Sequence, residues 1–262
     1  MRRYDAEYLE HTRQGMWDDS REALSSLELS TRQRVLDVGS GIGALTRVLR
    51  EEVPGQVVGV DADRTLLEHA DGPVVVGDAH RLPFVDGAFD LVICQALLIN
   101  LLDPVTTLEE FARVSRDRVA VVEPDNSAVW IDSTVEREAK LADRARTYYL
   151  DGVGTDVTLG ADARSLLADA GLSEIDVTRY EHARTVSPPY SKRDLQAARR
   201  KASGRGLEDD RPTMLAGGLT AAEYDALRSD WRAMGRAAVE QMQNGVYERT
   251  ETVPFYVAVG TV

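Results

Sequence analysis

Between residues 33 and 125 the chain alternates short β-branched runs with amphipathic stretches, and no other feature restricts its fold as strongly. The runs are RVLDVG (34–39), QVVGVD (56–61), PVVVGD (73–78), FDLVICQ (89–95) and RVAVVEP (118–124). They read as continuous apolar segments, as strands buried on both faces do. Between them, ALTRVLREE (44–52) and PVTTLEEFARVS (104–115) carry apolar residues at helical spacing. Short strands linked by helices build a parallel, doubly wound α/β sheet.

After residue 125 the rhythm loosens. STVE (133–136) has the spacing of a capping box and predicts a helix from there to about residue 150. A helix over 161–170 ends at Gly171, and LSEIDVTRYE (172–181) reads as a strand. SKRD (191–194) and TAAE (220–223) are further helix starts; the second leads an apolar stripe of Tyr224, Leu227, Trp231, Met234 and Met242. VPFYVAVGTV (253–262) is a closing strand. The expected organisation is a single domain over 1–262. It comprises a helical N-terminal extension or lid (1–30), a core (33–181), a helical insertion (182–250) and a last core strand (253–262).

A chain of 262 residues, 43% hydrophobic, suffices for such a core. Acidic residues outnumber basic ones 44 to 31, a formal charge of −13, which opposes broad binding to nucleic acid or anionic membrane. Lysine is scarce (Lys140, Lys192, Lys201), a composition like that of proteins from salt-loving organisms. Cys94 stands alone, so neither an intramolecular disulfide nor a cysteine-based zinc site forms within one chain, and no metal site is expected. The opening MRRYDAEYLEHTRQ lacks the apolar core of a secretory signal, and LVICQALLINLL (91–102) is too short to span a bilayer. The expectation is a cytoplasmic protein, monomeric or homodimeric, with no membrane partner.

VLDVGSGIGA (35–44) runs from an apolar strand into Gly39, Gly41 and Gly43 and then a helix. Glycines there permit positive φ and close approach of a ligand to backbone, and the helix start offers unpaired N–H groups. Asp61, ending the second strand, is placed to accept both hydroxyl hydrogens of a ribose; a plain strand-ending Asp is the alternative. NAD and S-adenosylmethionine fit equally well to this point. Asp37 inside the first motif, the GDA of residues 77–79 and the fourth run, FDLVICQALL (89–98), separate them.

Taken in order, VLDVGSGIG, VVGVD, GDA with LPF, and FDLVICQ resemble the motifs of class I S-adenosylmethionine-dependent methyltransferases, particularly the small-molecule "type 11" branch, over about 33–125. The resemblance implies a Rossmann-like, seven-stranded, mostly parallel sheet with the last strand antiparallel. It also implies S-adenosyl-L-methionine as cofactor and S-adenosyl-L-homocysteine as product. Carried over, it places backbone around Gly39, Ser40, Gly41 and Gly43 at the methionine portion, with Asp37 ordering the loop or near the amino group. Asp61 and Ala62 would hold the ribose, Asp78 and Ala79 the adenine, and Gln95 and Ala96 would lie beside the sulfonium. Related sequences often carry a histidine shortly after the fourth strand; here the stretch is LLINLL with Asn100, which cannot act as a base near neutral pH.

The acceptor is expected beyond the ends of strands four and five. There Asn100, Glu123 and Asn126 are candidate substrate contacts, with Glu123 a candidate base; Pro-Asp-Asn is equally good turn chemistry. Tyr4, Tyr8, His11 and Trp17 would sit on one face of an N-terminal lid closing over the cofactor, with Tyr8 and Trp17 as substrate contacts, or merely dock the segment; His11 and His182 are the other candidate bases. Arg199 and Arg200 would hold an anionic acceptor, unless they form a solvated face balanced by nearby acids. The expected activity is methyl transfer to a small-molecule nitrogen, oxygen or sulfur nucleophile. Its rivals are a macromolecular (RNA or protein) methyltransferase, a NAD-dependent oxidoreductase and a non-catalytic S-adenosylmethionine-binding partner protein.

Overall fold

All five expected runs are strands, and they lie side by side. The computed structural model describes Leu9, Met16, Trp17 and residues 20–262. β1 (Arg34–Val38), β2 (Gln56–Asp61), β3 (Val74–Val76), β4 (Phe89–Gln95) and β5 (Ser115–Pro124) are parallel neighbours in the order β3-β2-β1-β4-β5. β4 is buried along its whole length, in keeping with its apolar stretch Leu91–Cys94, and it buries Asp90 and Gln95 as well. Each fully buried Leu, Val, Ile or Phe there contributes about 1.5–3 kcal/mol relative to exposure. The linking helices are α1 (Ala44–Glu52), α2 (Arg64–Leu67) and α3 (Pro104–Val114). Asp103 caps α3 by accepting from Thr106 N–H at 3.0 Å, and Pro104 opens its first turn.

Contacts divide the chain into two compact units. The first holds the residues up to 125 together with 158–182 and 254–262; the second holds 126–157 and 183–253. After β5 the chain forms β6 (Trp130–Ser133), α4 (Glu138–Gly152), α5 (Ala163–Asp169) and β7 (Ser173–Val186). Then come α6 (Lys192–Ser203), α7 (Arg205–Glu208), α8 (Arg211–Ala216), α9 (Ala221–Gln243) and β8 (Arg249–Thr261).

In the first unit β8 runs antiparallel to β5, from Arg118↔Thr261 to Pro124↔Phe255, as expected of the last strand. β7 also pairs with β8 and continues to Val186, five residues beyond the sequence expectation. Of the expected N-terminal extension, the described part from residue 20 holds 3-10 turns over Arg21–Leu27 and Leu29–Thr31, separated by Glu28 at φ +52°; the rest lies outside the described residues apart from Leu9, Met16 and Trp17. Asp90 fixes the chain entering β1 by accepting from the N–H groups of Gln33 (2.8 Å) and Arg34 (3.1 Å).

The second unit packs α4 and the helices α6–α9 around Leu141, Ala145, Ala198, Leu207, Met214, Leu227, Met234 and Ala238. Ser191 and Thr220 form the two capping boxes read from SKRD and TAAE. STVE forms none. Residues 130–133 are an eighth strand that the seven-strand expectation lacked, pairing Trp130↔Thr252 through Ser133↔Arg249. Its last residue, Ser133, accepts from Val135 N–H and donates to Glu138, so α4 begins only at Glu138.

Glu138 is the polar node of this unit. Tyr247 and Ser133 donate their hydroxyls to it at 2.9 and 2.7 Å, Arg249 Nε at 3.1 Å, and Lys201 donates its ammonium. Burial pushes the Glu138 carboxyl up, but Lys201 and the other donors outweigh it and hold the group below its ordinary value. Tyr247 is pushed up by burial and by the Glu138 charge. Glu251 binds Arg249 at 2.5 Å and also Arg184; burial opposes its ionisation, yet the two guanidiniums bring it down to about 2. Among the described residues no helix is long and apolar enough to cross a membrane.

A carboxyl depressed on folding stabilises the protein while it is ionised and loses that contribution as protons return. Glu251→Gln should therefore cost about 2 kcal/mol at pH 6 in urea denaturation, since charge-assisted hydrogen bonds are lost. The gap between the two proteins should be full above the ordinary carboxyl value of 4.5 and close as the pH falls toward about 2. A gap that stays constant with pH would show that the ion pairs do not carry it.

Candidate functional site

β1 and β4 are adjacent, while their successors β2 and β5 lie on opposite sides, so the chain reverses its winding direction between β1 and β4. In an open parallel sheet this switch point, at the carboxyl ends of the strands, is where a crevice forms. A cleft is found there, lined by Asp37, Gly39, Ser40, Gly41, Ile42, Ala44, Leu45, Gln95 and Leu9.

The glycine loop leaves β1 with Gly39, Gly41 and Gly43 at φ +71°, +52° and +80°, conformations that side chains rarely adopt. Gly39 and Ser40 donate their N–H groups to Val60 of β2, at 2.7 and 3.1 Å. The loop rests on β2 because Gly59 lacks a side chain: a Cβ there would stand 2.8 Å from Ser40 Oγ. Ser40 thus turns its hydroxyl toward β2. Asp61 ends β2 with Oδ2 accepting from Gly41 N–H and Oδ1 from Asp63 N–H, both at 2.8 Å. Each carboxylate oxygen retains a second lone pair for a further donor. Asp37 is buried in β1 and accepts from the Thr46 hydroxyl of α1 at 2.5 Å, tying the strand to the helix across the loop. Thr46 is a site residue that the motif reading missed; its sign is a hydroxyl in the first turn of the helix after the glycines.

On the opposite wall Gln95 is buried and donates Nε2–H to Met16 Sδ at 2.7 Å. Ala96 follows at φ +46°, a left-handed alanine that costs about 1–2 kcal/mol and persists where its surroundings impose it. Asn100 donates Nδ2–H to Ala96 O at 3.0 Å. Leu97 lies so close to the glycine loop that a Cβ on Gly39 would stand 2.9 Å from Leu97 Cδ1. Leu97 was also missed, because nothing local marks it.

Other sequence candidates lie elsewhere. Ala62 is exposed, and Asp78 with Ala79 follows β3 without lining the cleft. Asp78 accepts from the backbone N–H and ring nitrogen of His80, each at 3.0 Å, and these bonds hold its carboxyl below the ordinary value. Trp17 is buried, with its ring 5.4 Å from that of Tyr180 in β7, which is the docking role rather than that of a side chain lining the cleft. His182 is buried edge-on to Phe255, ring centroids 6.3 Å apart. Glu123 is wholly buried and accepts backbone N–H groups of the turn after β4. Asn126, in the second unit, donates Nδ2–H to Val157 O at 2.7 Å, the turn chemistry weighed against substrate binding. In that unit Arg200 pairs with Asp209 at 2.9 Å, the solvated alternative, and Arg199 lines a groove with Leu195, Ala198, Val239, Met242 and Gln243. Tyr4, Tyr8 and His11 lie outside the described residues.

Residues 36–122 match the family model described as "Methyltransferase domain". An uncharacterised methyltransferase of Schizosaccharomyces pombe is 32% identical over 157 residues, 52% of this chain and 55% of that protein. A demethylmenaquinone methyltransferase of Thermotoga maritima is 34% identical over 96 residues, 34% of this chain and 42% of that protein. The chain thus spans about half the length of these curated relatives. The crystal structure of a SAM dependent methyltransferase from Archaeoglobus fulgidus superposes with a TM-score of 0.53 at 13% identity, covering 98% of this chain and 100% of that one; it shares the fold.

The Asp37–Thr46 bond gives a direct test of how the loop is held. Thr46→Val keeps the side-chain shape and removes a donor to a buried carboxylate, so stability should fall by about 1.5–3 kcal/mol in urea denaturation. An unchanged midpoint would show that the bond contributes nothing to the clamp.

Proposed function

We propose that this chain, which matches a methyltransferase family model over residues 36–122, is a class I S-adenosylmethionine-dependent methyltransferase that methylates a nitrogen, oxygen or sulfur of a small molecule. The observation that carries the reading is the convergence of Asp37, the glycine loop, Asp61 and Gln95 at the carboxyl ends of β1, β2 and β4. Asp61 retains lone pairs for ribose hydroxyls while it holds Gly41, and the start of α1 brings Ala44 and Leu45 to the cleft. The carboxylate of Asp37 below the loop adds negative charge, which suits a cationic ligand.

S-adenosylmethionine, held by Asp61 and the walls of the cleft, would supply an electrophilic methyl on its sulfonium, with S-adenosylhomocysteine as the leaving group. The protein's part is to hold the cofactor and keep water from the cleft, because positioning supplies much of the acceleration for such a displacement. An acceptor that arrives as an amine, thiolate or ionised phenol needs no strong base. That agrees with Asn100 standing where related sequences often have histidine, and with a buried Glu123 whose Oε1 is committed to backbone donors. A small-molecule acceptor is further supported by the name of the Thermotoga maritima relative, a demethylmenaquinone methyltransferase, and by the charge of −13, which opposes nucleic acid.

Calorimetric titration with S-adenosylmethionine, S-adenosylhomocysteine and NAD tests the reading. Both adenosyl ligands should bind and NAD should not. Asp61→Ala should weaken binding tenfold or more, about 1.5–3 kcal/mol. Asp61→Asn keeps an oxygen for Gly41 but loses the charge and one acceptor, so it should fall between. NAD binding alone would replace the methyltransferase reading with a redox one.

A further inference from the structure

Glu123 reaches from the end of β5 across to the turn that follows β4. Its Oε1 accepts from Leu97 N–H at 3.0 Å and Leu98 N–H at 2.8 Å, and the Cys94 thiol donates toward the same oxygen at 3.8 Å. The residue is 0% exposed. Both donors belong to the two residues immediately after Ala96, whose left-handed backbone needs support from its surroundings. Ala96 itself is held at both ends, its N–H donating to Val122 O at 2.8 Å and its carbonyl accepting from Asn100. The shape so imposed puts Leu97 against Gly39 and aims Gln95 into the cleft.

We propose that Glu123 is a positioning residue of the cofactor site, locking residues 96–98 so that Gln95 and Leu97 close the wall facing the glycine loop. It acts on the ligand through that backbone turn and takes no proton from the acceptor. A base must come within hydrogen-bond reach of the proton it removes, whereas the Glu123 residue is 0% exposed and its Oε1 is committed to the Leu97 and Leu98 N–H groups. The inference rests on the reading of this cleft as the S-adenosylmethionine site.

Two substitutions separate the roles. Glutamine is isosteric and offers an amide oxygen to both N–H groups, whereas alanine offers none. In the full chain, Glu123→Gln should keep S-adenosylhomocysteine affinity within about threefold of wild type, and Glu123→Ala should weaken it about tenfold or more. Amide hydrogen exchange read by NMR should show Leu97 and Leu98 protected in wild type and Glu123→Gln but fast in Glu123→Ala, with Val119 and Val121 of β5 still protected as proof of folding. Should Glu123→Ala fail to fold, Glu123→Gln decides alone: affinity kept within about threefold with Leu97 and Leu98 still protected supports the proposal, and loss of that affinity while Leu97 and Leu98 stay protected overturns it. Equal affinity in wild type and Glu123→Ala, or equal exchange at Leu97 and Leu98, sinks the proposal while leaving the cofactor reading intact. If wild type itself does not bind S-adenosylhomocysteine, the cofactor reading fails and takes the proposal with it.

Discussion

A carboxylate withdrawn from water costs several kcal/mol unless donors surround it, and this acidic chain buries four of them at decisive places. Asp90 takes the N–H groups that lead into β1, Asp37 takes the hydroxyl that binds β1 to α1, and Glu123 takes the turn after β4. Glu138 gathers Tyr247, Ser133, Lys201 and Arg249 in the second unit. Most of these donors sit in loops or at element ends, where helix and sheet ladders leave groups unpaired. Each buried acid therefore selects one loop conformation out of many, which hydrophobic packing alone does not do.

For the site this means that the cleft is shaped before any ligand arrives. After Asp90 near its start, β4 carries only Leu91, Val92, Ile93 and Cys94 until Gln95, so its contribution to the cleft comes at the carboxyl end, in a row with Gly39 and Asp61. Two walls face each other there. One is the glycine loop, clamped by Asp61 and by hydrogen bonds to Val60; the other is the Gln95–Leu98 turn, clamped from β5. A preformed wall lowers the ordering cost of binding, and that is the form of help a displacement on a small molecule most requires.

Much of this was legible in the residues wherever the signal is local. Unbroken apolar runs announced five parallel strands, and the glycine spacing announced the loop. The boxes at Ser191 and Thr220 formed because a cap depends on residues three apart and little else. STVE has the same spacing and formed none, since Ser133 belongs to a strand whose partner, Arg249, is more than a hundred residues away. The arginine-rich stretch of α6 was ambiguous for the same reason: whether Arg200 and Lys201 face a ligand or an acid depends on where Asp209 and Glu138 fold.

By itself the sequence determined the α/β class, the parallel strands, the glycine loop and the carboxylate at the end of β2, because each follows from periodicity or from spacing within a few residues. Tertiary structure alone decided what those acids touch. Asp37 meets Thr46 within one strand–turn–helix step, but Glu123 meets Leu97 and Leu98 only because β4 and β5, separated by α3, are brought side by side. A hydrogen bond is made over about 3 Å whatever the distance along the chain. Its partner is therefore written in the packing of the whole sheet and not in the neighbouring letters.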